Sequence, residues 1–390
     1  MNKTIQNQLT TIIDKYIVDE QIAGMNMLVR KNDEEILYIN RGYADLARQK
    51  EIQRDTIFRL FSMTKPVTSA AMMILFQRGL VDLTDPVSKY ISTFEDQMVA
   101  VPGGLVHSKN QMTIQNLLSM TGGLAYGGTA TAAEIATQNV FDEVHRRMYS
   151  ASPVTTIEFA EKIGKCPLEY QPNTNWKYCV AADVLGAVIE KIADMPFGEF
   201  LQKELFDPLE MSDTGFYVIP EKRERLASAY QITENELHEF HDDSLGIRMS
   251  MDVPPAYEAG GAGLVSTIDD YSNFASMLLH NGAFHGKQIL LPATIEYMTS
   301  RRLTPDQQKG FDNLWGLHGF SYGNLIRVMT DPWKAPFVTI AGEYGWDGWM
   351  GCYFANIPEK DMTILMMMQR TDTGTFDLTR KLRNVLLLNL

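Results

Sequence analysis

The 390-residue sequence is 45% hydrophobic, enough apolar mass for a sizeable core and for two or three lobes. Its formal charge of -13 argues against nucleic acid or an anionic membrane as partner, because a phosphate surface would repel it. Cys166, Cys179 and Cys352 are widely spaced and form no C-x-x-C pair, which argues against a disulfide framework or zinc knuckle and predicts reduced thiols.

The N-terminus carries an amphipathic helical pattern (Ile5, Leu9, Ile12, Ile13, Tyr16) where a signal peptide would carry a continuous apolar stretch. No apolar run approaches the ~20 residues of a membrane span, so a cytoplasmic protein is expected. Gly24 to Arg30 and Ile36 to Asn40 read as two strands joined by the polar turn Lys31 to Glu35. Val67, Ala70, Ala71, Ile74 and Leu75 then recur at helical spacing, with Pro66 near the start and Gly79 at the stop. Asp82 to Val87 is a turn into a short helix, and Thr113 to Gly123 is a capped short helix closed by a glycine turn.

From the Asp82 to Val87 turn to about residue 260, helices and loops are expected to dominate, without strand pairs. Ala181 to Ile192 has a Leu185, Val188, Ile189, Ile192 stripe, whereas 220–258 reads as a polar surface excursion. Gly260, Gly261 and Gly263 lack the spacing of a dinucleotide fingerprint and read as close packing before a helix that ends near Gly282. Strand character returns at Leu325 to Thr330, Phe337 to Ala341, Met350 to Ala355 and Met362 to Met368, and Phe376 to Leu386 suits a closing amphipathic helix. Strands at both ends predict an α/β (α+β) fold: one antiparallel sheet from 1–80 and 260–390, a mainly helical insertion at 81–259, and a cleft between them.

The chemistry centres on Phe58 to Pro66, where Ser62 precedes Lys65 by one helical turn. Unpaired backbone N–H groups at a helix start favour an alkoxide and any oxyanion beside it. A neutral lysine amine on the same face can take the serine proton. The alternative is a serine cap beside a surface lysine.

Taken in order, Phe58 to Pro66, Leu117 to Leu124 and Gly260 to Thr267 resemble the serine β-lactamase and penicillin-recognising superfamily, and within it the class C-like branch that includes family VIII esterases. The resemblance implies a second element, Tyr-x-Asn, which three literal copies mimic (Tyr38-Ile39-Asn40, Tyr271-Ser272-Asn273, Tyr322-Gly323-Asn324) and which Tyr178 matches better in position, with Val180 in place of Asn. A phenol there can relay a proton to the leaving oxygen or nitrogen. The third element, Lys-Thr-Gly, has Trp346-Asp347-Gly348 as its counterpart; Gly348 would let substrate approach the backbone, and the Trp349 N–H would join that of Ser62 as an oxyanion hole.

No cofactor or metal is expected. His238 and His241 lie in the polar excursion without a third ligand, and neither a Gly-x-Ser-x-Gly elbow nor a phosphate-binding loop is present. The expectation is a serine acyl hydrolase acting on a small-molecule ester, with Ser62 acylated and Lys65 and Tyr178 sharing proton transfer. A β-lactamase or D-amino-acid peptidase is the enzymatic alternative, and an idle ligand-binding protein on the same fold is the non-enzymatic one.

Overall fold

The computed structural model describes residues 3–300, 302–314, 316–374 and 376–390. Its frame is an antiparallel eight-stranded sheet in the order Phe320–Tyr322, Arg327–Met329, Tyr344–Asp347, Tyr353–Ile357, Met362–Met368, Gly24–Lys31, Glu34–Asp45, Lys50–Glu51. The central pairing runs in register from Met25 opposite Met368 to Lys31 opposite Met362.

Alternation along these strands feeds two cores. Met25, Met27, Val29, Ile364, Met366 and Met368 pack beneath the helices Lys3–Val18 and Asp377–Asn389, which contribute Ile5, Leu9, Ile13, Leu378, Leu382 and Leu386. Leu28, Leu365 and Met367 face the opposite way, toward the helices Thr64–Gln77 and Ile268–Leu279. The methionine-rich strand is thus buried on both faces, where flexible thioethers fill irregular gaps. On the back face a fully buried ion pair joins Arg383 to Glu343 at 2.6 Å.

Several local expectations need correction. Phe337 to Ala341 is not a strand: Val338 and Ile340 do pack into the back core, but the Val338 N–H donates to the Asn384 side chain. Its apolar alternation marks a buried face without a strand partner, and the sheet resumes at Tyr344–Asp347. The stretch from 82 to 260 also contains strand pairs, Met98–Val101 with Gly104–His107 and Ala229–Thr233 with Glu236–Phe240. The second hairpin turns through Glu234 and Asn235, both at positive φ, a conformation that the Glu-Asn pair announces less clearly than Asn-Gly. Among the described residues no helix is long and apolar enough to cross a membrane.

Candidate active site

The chain enters the cleft through the two-residue strand Phe58–Arg59, paired with Val265–Ser266. The Leu60 N–H donates to the Leu264 carbonyl at 2.9 Å, and Phe61 then takes a left-handed backbone (φ 46°) before the turn Phe61–Met63 runs into the helix Thr64–Gln77. A phenylalanine so placed stores about 1 to 3 kcal/mol of strain, which the surrounding contacts must over-determine. Tyr271 helps, donating its hydroxyl to the Met63 carbonyl at 2.9 Å. Ser62 stands at this strained turn, just ahead of the first helical turn. The serine-cap alternative fails, because the helix has no side-chain cap and Lys65 is fully buried.

Lys65 Nζ donates to Ser62 Oγ at 3.0 Å and to the Gly261 carbonyl at 2.7 Å. The glycines act as close packing: a Cβ on Gly260 would lie 2.4 Å from the Ala182 carbonyl. Tyr178, just ahead of the helix Ala181–Ala193, donates to Ser62 Oγ at 2.7 Å. Its neighbours fix it: the Lys177 N–H bonds the Met120 carbonyl, Lys177 Nζ reaches Glu134 and Glu169 at 2.9 Å, and buried Trp176 packs against Phe311 and Tyr322. Val180 is fully buried in the helical core. Of the three literal Tyr-x-Asn copies, none brings its tyrosine hydroxyl to Ser62; Tyr271 supports the turn and Tyr322 packs on Trp346.

The facing wall is the strand Tyr344–Asp347 and the turn after it. Trp346 is 3% exposed, and its indole N–H points at the Tyr178 oxygen at 3.4 Å, a weak hydrogen bond. Asp347 lines the cleft but is ion-paired with buried Arg327 at 3.3 Å, so its charge is matched. A Cβ on Gly348 would stand 2.2 Å from the Leu60 carbonyl oxygen, so the glycine also lets the strand end close on the turn that carries Ser62. The Trp349 N–H donates to no acceptor among the described residues, while its indole donates to Asp372 at 2.8 Å and its ring meets Phe61 and Phe240 edge-on.

Above Ser62 and Tyr178 opens a cavity of about 240 Å³ walled by Leu314, Leu317, Trp346 and Trp349. Its described lining holds no Lys, Arg or His, and Asp347 and Asp372 are its charged members. Such a space suits a small neutral group beside the Ser62 hydroxyl.

Sequence reasoning missed several neighbours. Tyr126 packs against Tyr178 with Lys65 Nζ 5.6 Å from its ring, although only the glycines around it marked that loop. Leu314, Leu317 and Asp372 carried no signal, because nothing local says that their loops meet over Ser62. Phe240 of the polar excursion meets the Trp349 ring edge-on, so that segment supports one residue of the cavity wall from behind. His238 and His241 are exposed, and among the described residues no group of three metal-ligating side chains occurs. All three cysteines are free and buried.

The Beta-lactamase family profile matches residues 4–388. Protein Rv1367c of Mycobacterium tuberculosis is 32% identical over 351 residues, 86% of this chain and 83% of that protein. Esterase EstB of Burkholderia gladioli is 27% identical over 357 residues, 88% of this chain and 85% of that one. Among solved structures, EstCE1, described as a hydrolase with promiscuous acyltransferase activity, superposes with a TM-score of 0.83 at 24% identity over 99% of both chains, and so shares the fold.

Proposed function

The chain belongs to the Beta-lactamase family and is a serine hydrolase, and from that premise we propose that it is a carboxylic ester hydrolase working through an acyl-enzyme on Ser62. The observation that carries the reading is Ser62 Oγ held between Lys65 Nζ at 3.0 Å and Tyr178 OH at 2.7 Å, below a small apolar cavity. When either partner is unprotonated its hydrogen bond reverses, and the serine O–H donates its proton as Oγ attacks the ester carbonyl carbon. The Ser62 and Trp349 N–H groups receive the oxyanion. Tyr178 passes the proton to the departing alcohol, and water then releases the acid by the same route.

Substrate charge separates this reading from a β-lactamase or D-peptidase. Those substrates present a carboxylate, whereas Trp346 offers only a neutral indole and the described lining has no cation. Val180, buried in the core, has no amide to hold an acylamino side chain. A missing charge-assisted contact, worth roughly 1.5 to 3 kcal/mol, and a missing neutral amide hydrogen bond, worth about 0.5 to 1.5 kcal/mol, together lower lactam acylation by about 30- to 10³-fold.

The test is a comparison of kcat/KM for a short-chain p-nitrophenyl ester and a chromogenic cephalosporin, with mass spectrometry of the trapped adduct. Ester preference with acylation on the Ser62 peptide is expected. Equal or better turnover of the cephalosporin promotes the β-lactamase reading, and full activity in Ser62→Ala removes Ser62 from the chemistry.

A further inference from the structure

Behind Lys65 lies a buried carboxylate that the proton transfers above do not use. Asp183 occupies the first turn of the helix Ala181–Ala193 and is 3% exposed. Its Oδ1 accepts from the Tyr257 hydroxyl at 2.8 Å and from the Gly261 N–H at 3.0 Å. The carbonyl of the same Gly261 accepts from Lys65 Nζ at 2.7 Å. Only glycine fits between them, since a Cβ at 261 would come 2.6 Å from Asp183 Oδ2.

The surroundings of Lys65 make this carboxylate singular. Lys65 is fully buried, and the titratable groups facing it are Tyr178, Tyr126, Cys179 and Asp183, with Tyr257 behind Asp183. Burial pushes the Cys179 thiol up to about 12 and holds the Tyr126 and Tyr257 phenols well above their ordinary value. Burial also raises Asp183, but Lys65, the Gly261 N–H and the Tyr257 hydroxyl oppose it. The nearby Lys177 is engaged by Glu134 and Glu169. Among these groups Asp183 is the one carboxyl, and it is linked to Lys65 through the two ends of Gly261.

We infer that Asp183 is a positioning residue for Lys65: through Gly261 it fixes the amine against Ser62, and its carboxylate sets the pH range over which Ser62 is activated. The inference rests on Lys65 as proton acceptor from Ser62. A nearby carboxylate favours the ammonium over the amine, so removing the charge extends the active range downward in pH.

The experiment measures the rate of Ser62 labelling by a fluorophosphonate from roughly pH 5 to pH 9 in wild type, Asp183→Asn and Tyr257→Phe. Asn keeps an acceptor oxygen for Gly261 and Tyr257 while losing the charge. The acid limb of Asp183→Asn is expected to move down by about one pH unit, a roughly tenfold faster labelling on that side. KM for a short ester stays at the wild-type value, because Asp183 does not touch the cavity. Tyr257→Phe, which deprives the carboxylate of one donor, shifts the limb the same way by less. A folded Asp183→Asn whose limb coincides with wild type overturns the inference; if that variant does not fold, an unmoved limb in Tyr257→Phe does so. Wild-type enzyme that never labels at Ser62 instead removes the ester-hydrolase reading, and this inference with it.

Discussion

Replacing Gly348 with alanine puts a Cβ 2.2 Å from the Leu60 carbonyl oxygen. Carbon–oxygen contacts relax only near about 3.3 Å, so the strand end and the nucleophile turn must part by about 1 Å. Both sides are tied: the Gly348 N–H donates to the Cys352 carbonyl at 2.7 Å and the Leu60 N–H to Leu264 at 2.9 Å. Leu60 lies two residues before Ser62 and Gly348 one before Trp349, so the separation widens the gap between the two proposed oxyanion donors. Losing one such donor costs about 10²- to 10³-fold in kcat, or roughly 3 to 4 kcal/mol, and a 1 Å misplacement alone can cost about 10²-fold. Steady-state kinetics on a p-nitrophenyl ester should show kcat/KM lowered by that factor with KM little changed. Thermal unfolding on the same preparation reports the cost to the fold. A Gly348→Ala enzyme with lowered Tm but wild-type kcat/KM would refute the assignment of this turn to the oxyanion hole.

Lys65→Arg should lower ester turnover by about 10²- to 10⁴-fold at every accessible pH, since a guanidinium stays protonated; wild-type acylation by that variant removes Lys65 as base. Part-buried Glu258, beside Glu190 and bonded to the Gly198 N–H, is pushed up to about 7 by burial. A folded pKa above the unfolded one means that the native state binds the proton more tightly, so its contribution is full below about pH 4.5 and is lost as pH rises to about 7. The loss is up to about 2 to 3 kcal/mol after allowance for partial exposure. Glu258→Gln should therefore gain Tm relative to wild type at pH 8 but not at pH 4.5, and an equal difference at both pH values contradicts this. Arg383→Met leaves fully buried Glu343 without its partner and should cost about 3 to 5 kcal/mol in denaturant unfolding, whereas the double change with Glu343→Leu should recover most of it.

Much of the site's local part is written in short-range chemistry. Ser62 and Lys65 share a face because a helix repeats every 3.6 residues, and Pro66 and Gly79 bound that helix from within the sequence. The capping box of Thr113 and Asn116 starts its short helix with side chains that satisfy the first backbone N–H groups. The near-continuous apolar run Met362 to Met368 forms a strand with the expected bounds. Each of these is decided by neighbours a few residues away.

What local pattern could not decide was who meets whom. Phe337 to Ala341 has strand character because Val338 and Ile340 share one half-buried face, yet that face lies against the back core and not beside another strand. Four tyrosines competed for the place beside Ser62, and only the tertiary fold brings Tyr178, 116 residues from Ser62 in sequence, to 2.7 Å from its oxygen. The purpose of Gly348 is invisible without Leu60 opposite it, and Asp183 reads as an ordinary acidic residue of a helix's first turn until Gly261 and Lys65 are set beside it. Short-range periodicity fixes which face a residue presents. The partner on that face is chosen by long-range packing, because hydrophobic burial rewards any close contact and leaves its identity to the way the whole chain closes on itself.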